Sequence, residues 1–173
     1  MGFLHIYCGD GKGKTTAAAG LAVRAAGAGL RVHIVQLLKG SDSAEVSVLR
    51  SIPGITLERC DRNYGFVWNM TDHDKADITA CHNAMLENGY SMVRSGSVGM
   101  LIIDEFNAAY RHGLLDRAAA ERFLIEKPGG AELVITGRDP ADIFVEAADY
   151  VSEIKCVKHP YTSGVSARRG IEF

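Results

Sequence analysis

Residues 9–16 form a glycine-rich segment, GDGKGKTT, between a short apolar run and an alanine-rich stretch. The apolar run, Leu4–Tyr7, predicts a strand, and the stretch from Lys14 to about Ala28 predicts a helix. Glycines let backbone N–H groups converge on anionic oxygens, and a helix N-terminus adds partial positive charge. This order of elements predicts a phosphate-binding loop; the alternative is a helix-start turn that is merely rich in Gly and Lys.

The loop residues have predicted parts in binding a nucleotide. Lys14 brings a charge to the terminal phosphates, and Thr15 brings a hydroxyl to a Mg²⁺ (or Mn²⁺) ion. The usual spacing, G-x-x-x-x-G-K-[ST], places a glycine where this chain has Cys8. Either the loop is one residue tighter than usual or Gly9 makes its first turn. The predicted nucleotide-binding residues of the loop are Gly9, Asp10, Gly11, Lys12, Gly13, Lys14, Thr15 and Thr16.

Composition narrows the class of protein. A chain of 173 residues with 47% hydrophobic and 23% charged residues predicts one globular domain over residues 1–173. A net charge of −2 argues against a nucleic-acid partner. No apolar run reaches the roughly 18 residues of a membrane span, and the N-terminus does not resemble a secretory signal. The four scattered cysteines predict reduced thiols, so we expect a cytoplasmic protein.

Strand-like and helix-like segments alternate along the chain, which predicts an α/β fold with a mostly parallel central sheet flanked by helices. A proline-containing cap, Asp139-Pro140, predicts the start of one helix, and Gly89 is a place where the longest helix would bend or split. Parallel sheets of this kind bind ligands at the carboxyl ends of their strands. The predicted strands are 4–7, 32–38, 55–58, 100–104, 133–136 and 150–154, and the predicted helices include 14–28, 72–94 and 116–127.

Polar residues follow three of the predicted strands. Asp104 and Glu105 end the clearest buried strand, where a phosphate-loop enzyme keeps a second metal-binding acid; capping of the next helix is the alternative. Arg138 follows the strand 133–136 and would reach the ribose or phosphates, although a lone arginine is more often a surface residue. Lys39 and Gly40 follow the strand 32–38 and carry no functional signal by themselves.

The segment Tyr64-Gly65-Phe66-Val67-Trp68 contains the only tryptophan of the chain and lies in a polar stretch. If this segment is extended, Phe66 and Trp68 lie on one face. They would then form an aromatic platform for a large, flat ligand. The alternative is a loop or edge strand that packs its aromatic residues against the core.

Seven segments occur along the chain in an order that is informative as a set. They are Gly9–Thr16, Val35–Gly40, Gly65–Trp68, Ile103–Glu105, Thr136–Arg138, Val157–Tyr161 and Gly170–Phe173. Together they resemble the P-loop ATP:corrinoid adenosyltransferases. The resemblance runs from about Tyr7 to Phe173 and includes the tight glycine-rich loop. It implies a P-loop NTPase (RecA-like) fold.

The resemblance implies a transfer of the 5′-deoxyadenosyl group of ATP to the cobalt of a cob(I) corrinoid, with release of triphosphate. Lys14 and the loop amides would neutralise the leaving group, and Mg²⁺ would be held by Thr15 and Glu105, with Asp104 beside them. Arg138 would fix the nucleotide so that its 5′ carbon faces cobalt. No general base is needed, because the nucleophile is a reduced metal.

The resemblance also implies a role for Phe66 and Trp68, which would pack beneath the corrin ring and displace its lower axial ligand. The partners that it implies are a reduced flavoprotein that donates the electron and a second copy of the chain in a homodimer. Family members often carry an N-terminal extension over the partner's active site. Here the first strand begins by about residue 3, so we expect a more open site or a different cover.

Two other functions remain open at this point. A conventional P-loop ATPase or small-molecule kinase would release ADP or phosphate in place of triphosphate. A non-catalytic ATP- or corrinoid-binding module would bind its ligands without turnover. Only the aromatic pair and the C-terminal segments argue against both alternatives.

Overall fold

The computed structural model describes residues 2–40 and 44–171 of the chain. Within these ranges six strands and six α-helices alternate around one sheet. The strands are β1 (Leu4–Cys8), β2 (Val32–Gln36), β3 (Ile55–Arg59), β4 (Met100–Asp104), β5 (Glu132–Thr136) and β6 (Tyr150–Glu153). The helices are α1 (Lys14–Gly27), α2 (Ala44–Ser51), α3 (Asp72–Arg94), α4 (Phe106–Arg111), α5 (Arg117–Glu126) and α6 (Asp142–Ala147), with short 3-10 turns at Val67–Asn69, Pro128–Gly130 and Pro160–Ser163.

Every strand pair of the sheet is parallel, and the strand order is β3-β2-β4-β5-β1-β6. The register places Gln36 of β2 beside Asp104 of β4, and Tyr7 of β1 beside Thr136 of β5. The carboxyl ends of these four strands therefore meet at one edge of the sheet, as predicted from the alternation of elements. The residues that follow the strands are brought together there.

Each face of the sheet is covered by helices and has its own hydrophobic core. On one face Leu101 and Ile103 of β4 share a cluster with residues of α3, α4, α5 and α6. On the other face Met100 and Ile102 share a cluster with α1 and α2. Burial on both faces explains why β4 is apolar at successive positions and does not alternate.

The predicted strands and helices are confirmed, with differences at their ends. β2 is shorter than predicted, because Leu38 adopts a positive φ of 58° and leaves the sheet. The helix 72–94 is continuous through Gly89, where a Cβ would lie 2.9 Å from Leu101 Cδ1. Gly89 therefore lets α3 approach β4 closely and does not bend the helix.

The predicted helix cap at Asp139 is wrong. Helix α6 begins at Asp142 after Ala141, and the Asp139 carboxylate instead pairs with Arg111 at 2.5 Å. Asp139 has a φ of 48°, so its backbone lies outside the extended region that an N-cap residue adopts. The ion pair with α4 gives this carboxylate a tertiary partner that local sequence does not reveal.

The prediction that all cysteines are reduced thiols is also wrong. Cys60, after β3, and Cys81, in α3, form a disulfide, whereas Cys8 and Cys156 are free. Of the C-terminal segment named in the resemblance, Glu172 and Phe173 lie outside the described residues. Among the helices described, none combines the length and the apolar character needed to cross a bilayer.

Candidate active site

The glycine-rich loop leaves the carboxyl end of β1 and enters α1 at Lys14. Gly9 has a φ of 99°, and a Cβ there would lie 2.4 Å from Ile154 O, so the first turn of the loop is made at Gly9. Cys8 is the last residue of β1. Because the turn begins one residue later, at Gly9, no glycine is needed at the position of Cys8. Gly11 is equally confined: its N–H donates to Ile154 O at 2.8 Å.

Gly13 is the residue before α1 and has a φ of 122°, a conformation that glycine adopts readily. A Cβ at Gly13 would meet no atom within 4 Å, so the backbone there faces open space. The Lys14 ammonium donates to Gly11 O at 2.9 Å and therefore lies over the loop. An open loop at a helix N-terminus, with a lysine above it, has the arrangement that binds phosphate groups.

Asp104 is the most highly connected side chain at this edge of the sheet. It is 2% exposed, and its two carboxylate oxygens lie 3.0 and 3.2 Å from the Thr15 hydroxyl. The Thr136 hydroxyl donates to the same carboxylate at 2.6 Å, and the Lys39 ammonium donates to it at 2.6 Å. Lys39 also donates to Thr15 at 3.1 Å. Side chains from β5, from α1 and from the segment after β2 thus converge on one buried carboxylate at the end of β4.

Glu105 lies beside this group, at the start of α4. Its φ is 60°, and its N–H donates to the Thr136 hydroxyl at 3.0 Å. Burial and the neighbouring Asp104 raise the pKa of the Glu105 carboxyl, while Lys39, Lys14 and Arg138 act in the opposite direction. A carboxylate whose charge is disfavoured by its surroundings gains from a nearby cation.

The hydroxyl of Thr15 and the carboxylates of Asp104 and Glu105 are hard oxygen donors, which Mg²⁺ prefers. Direct contact between Thr15 and Asp104 means that one small ion can reach both residues. The donors present therefore fit the predicted metal. The alternative, in which Asp104 or Glu105 caps the next helix with its side chain, is not supported, because no such hydrogen bond is formed at the start of α4.

The remaining predicted nucleotide-binding side chains lie at the rim of the loop. Lys12, Thr16 and Arg138 are exposed. Arg138 lies close enough to Asp10 and Glu105 for its charge to favour both carboxylates: it adds to the lowering of the Asp10 pKa and partly opposes the rise in the Glu105 pKa. The Asp10 carboxylate accepts from Cys156 N at 2.9 Å, and this bond is the main reason that its pKa is lowered. Asp10 thus ties the loop to the segment after β6.

Phe66 and Trp68 lie together and face solvent. Their ring centroids are 4.6 Å apart with planes only 7° from parallel, and the side chains are 65% and 77% exposed. The two rings lie side by side, but the extended segment from which a shared face was predicted is not formed, because Val67–Asn69 are a 3-10 turn. The alternative, in which these aromatic residues pack against the core, is wrong.

Other residues of the same segment attach the loop to the protein. Tyr64 and Val67 pack against a small buried cluster formed by Met70, Ile78 and Leu114. Beneath it, the buried His82 bonds through Nδ1 to Leu114 O at 2.8 Å and accepts at Nε2 from Leu38 N at 3.2 Å. The exposed ring pair is thus carried by a loop with a packed base.

Two polar residues of the site, Lys39 and Thr136, carry no site signal in the sequence by themselves. Thr136 only precedes Arg138, and Lys39 only follows a predicted strand. Both follow or end a strand at the carboxyl edge of the sheet, and this position was the available signal. What the sequence does not reveal is that β2 and β5 both lie beside β4, which brings the two side chains to Asp104.

Comparison with known proteins identifies the family. A profile of the family described as ATP:corrinoid adenosyltransferase BtuR/CobO/CobP matches residues 1–173. The chain belongs to this family. A corrinoid adenosyltransferase of Pseudomonas aeruginosa is 34% identical over 99% of this chain and 84% of its own length. A corrinoid adenosyltransferase of Salmonella typhimurium is 34% identical over 99% of this chain and 86% of its own.

Solved structures extend the comparison to the fold of this family member. A KaiC-like protein of Pyrococcus horikoshii superposes with a TM-score of 0.52 at 17% identity, covering 88% of this chain and 71% of that protein. The cytoplasmic domain of EssC superposes with a TM-score of 0.55 at 15% identity, covering 96% and 34%. These likenesses confirm the predicted P-loop NTPase-like fold. As a member of its family, the protein is a transferase.

Proposed function

We propose that this protein transfers the 5′-deoxyadenosyl group of ATP to the cobalt of a cob(I) corrinoid and releases triphosphate. The observation that supports this most directly is the pairing of an open phosphate loop with a solvent-facing aromatic stack in a member of the adenosyltransferase family. A plain ATPase or kinase has no evident use for the stacked rings of Phe66 and Trp68. We infer that residues 1–173 form one catalytic domain.

The triphosphate would lie in the glycine-rich loop, where its backbone N–H groups and the Lys14 ammonium neutralise the charge of the leaving group. Thr15, Glu105 and Asp104 would hold Mg²⁺ (or Mn²⁺). The ion would stabilise negative charge on the departing triphosphate. Arg138, at the rim beside Asp10 and Glu105, would contact the nucleotide and fix its 5′ carbon, since orientation is most of what this reaction requires.

The bond that forms joins cobalt to the 5′ carbon of ATP, and the bond that breaks joins that carbon to the oxygen of the α-phosphate. The cob(I) substrate supplies both electrons, so no residue need remove a proton from the nucleophile. Phe66 and Trp68 would contact the lower face of the corrin, where they would take the place of the axial ligand. A reduced flavoprotein would supply the electron that forms cob(I). We propose a cytoplasmic homodimer from the family resemblance alone, because the disulfide removes the support that the cysteines gave.

The test is anaerobic incubation of the protein with cob(I)alamin, ATP and Mg²⁺. The corrinoid spectrum is followed, and the phosphate products are separated. We expect light-sensitive adenosylcobalamin and one triphosphate per corrinoid. ADP and phosphate with an unchanged corrinoid would indicate an ATPase or kinase, and stoichiometric binding without any product would indicate a binding module.

A further inference from the structure

Lys39 forms a bonded triangle with two of the proposed metal-binding residues. Its ammonium lies 2.6 Å from Asp104 Oδ2 and 3.1 Å from the Thr15 hydroxyl, and the Thr15 hydroxyl itself contacts Asp104. Asp104 is 2% exposed and the Lys39 side chain 22%, so the pair is largely screened from water. A lysine ammonium therefore occupies the space next to the oxygens that would bind Mg²⁺.

The backbone around Lys39 fixes this position. Leu38 has a positive φ and donates its N–H to the buried His82, and Arg59 donates to Lys39 O at 3.1 Å. At Gly40, a Cβ would lie 2.4 Å from Asn63 Cα, so the chain runs close against the next loop. These contacts hold the start of the Lys39 side chain, so moving the ammonium away from Asp104 requires only rotation about the bonds of its flexible four-carbon stem.

Two cations cannot share the space between Thr15 and Asp104. Magnesium binds oxygen at about 2.1 Å, so an ion in contact with both residues would lie within roughly 4 Å of Lys39 Nζ in its present place. At that distance two positive charges in a partly buried site repel each other strongly. Binding of the metal therefore requires the ammonium to leave.

We propose that Lys39 is a positioning residue that acts as the counter-ion of Asp104 before the nucleotide binds and is displaced by the metal–nucleotide complex. Free metal alone must compete with the ammonium for Asp104. ATP brings the metal together with several negative charges, which offer the ammonium a new partner. Lys39 thus makes the site selective for a metal–nucleotide complex over the bare metal ion. The inference depends on the proposed metal site.

The experiment compares the wild-type protein with Lys39→Met, which keeps the length of the side chain and removes the charge. Binding of Mn²⁺ without nucleotide is measured from the electron paramagnetic resonance signal of free Mn²⁺, and binding of Mn·ATP is measured by calorimetry. We expect Lys39→Met to bind bare Mn²⁺ at least about tenfold more tightly, since one charge pair no longer opposes it. We expect no tightening for Mn·ATP.

Two variants serve as controls. Lys39→Arg keeps the charge and should behave like the wild type towards bare Mn²⁺. Lys75→Met removes an equally positive side chain that is exposed in the first turn of α3 and should change neither affinity. If Lys39→Met is too unstable to purify, Lys39→Gln, which retains an amide donor for Asp104, is titrated with the same expectation.

The outcomes separate this inference from the proposed function. An unchanged affinity of Lys39→Met for bare Mn²⁺ would overturn the role of Lys39, even if the wild type binds Mn·ATP. Equal tightening for bare Mn²⁺ and for Mn·ATP would also overturn it, because the ammonium would then oppose both ligands equally and gain no new partner from the nucleotide. Failure of the wild type to bind Mn·ATP would overturn the proposed metal site together with the inference.

Discussion

The side chains around Thr15 are bonded to one another and largely buried, whereas the Phe66 and Trp68 rings stand in solvent. Asp104 has three side-chain partners in place without any ligand. The aromatic pair is 65% and 77% exposed and is stacked. Both regions are assigned to substrates of one proposed reaction. We call the first the organised region, because its polar side chains are bonded to one another and largely buried, and the second the aromatic region, because its stacked rings are open to solvent.

This difference indicates how each region would obtain its binding free energy. A polyphosphate meets donors already fixed in a loop and a helix, so little ordering is needed when it binds. A flat apolar ligand gains by covering exposed rings, at roughly 25 cal/mol for each Å² removed from water. The nucleotide region would provide orientation and charge, and the aromatic region would provide contact area.

The largest expected effect comes from removing a charge in the organised region. We expect Lys14→Ala to lower kcat/KM for triphosphate release about 1,000-fold, because the leaving group loses a cation that acts on its developing charge. The measurement is triphosphate release under anaerobic conditions with cob(I)alamin. Lys75→Ala, on the exposed first turn of α3, is the matched control and should retain wild-type activity. A loss of less than tenfold in Lys14→Ala would contradict a leaving-group role.

Most of the organised region was predictable, because it depends on residues that are close in sequence or that end strands. The glycines and the lysine of residues 9–16 predicted a phosphate-binding loop. The position of Asp104 followed from the end of the predicted strand 100–104. Lys39 was not predictable, because its contact with Asp104 depends on β2 lying beside β4 and on a long side chain turning inward. The roles of all these residues in the reaction stay predictions.

In the aromatic region the sequence predicted the shared face of Phe66 and Trp68 but not what supports it. The disulfide between Cys60 and Cys81 joins residues 21 positions apart, and cysteine spacing alone did not indicate it. The bonds of His82 to Leu38 and Leu114 likewise depend on how α3 packs.

Helices α2 and α4 were missed because they are short and have few local signals.

The contribution of His82 to the packing beneath the aromatic loop can be tested from the pH dependence of stability. Burial lowers the pKa of His82 below its ordinary value of 6.5, and its Nε2 accepts a hydrogen bond, so the ring is neutral when folded. Below pH 6.5 the unfolded chain binds a proton that the folded chain does not, so stability is lost as pH falls. We expect the free energy of unfolding to fall as pH drops below 6.5, with a slope of at most about 1.4 kcal/mol per pH unit from this one group.

The measurement is the free energy of unfolding in urea at pH 7.5 and pH 5.0. His82→Gln should lower stability at pH 7.5 and show a smaller loss on acidification than the wild type. His33 is also buried with a lowered pKa, so some acid sensitivity should remain in the variant. His73→Gln, at an exposed position in α3, is the control. If His82→Gln shows the same pH dependence as the wild type, the packing beneath the aromatic loop does not depend on a neutral His82.

The smallest effect is expected at the exposed rings, and it should appear in corrinoid use and not in stability. Phe66→Ala and Trp68→Ala remove side chains that contribute little to the core, so we expect the free energy of unfolding to change by less than about 0.5 kcal/mol. Aromatic stacking on a ligand is worth about 1 kcal/mol, so turnover from cob(II)alamin with a reduced flavoprotein should fall about fivefold. Turnover from chemically prepared cob(I)alamin should fall less.

Tyr150 offers a matched control, because it is 53% exposed and stacks on His5 with centroids 4.6 Å apart. It is the first residue of the outermost strand β6 and so lies at the end of that strand away from the carboxyl edge of the sheet. Tyr150→Ala should leave both turnover rates unchanged. Equal losses from cob(II) and cob(I) in Phe66→Ala would indicate that the rings only bind the corrinoid, with no part in removing its axial ligand. Unchanged turnover from cob(II) in both variants would mean that the aromatic region has no part in the reaction. Only the nucleotide region would then have a catalytic role.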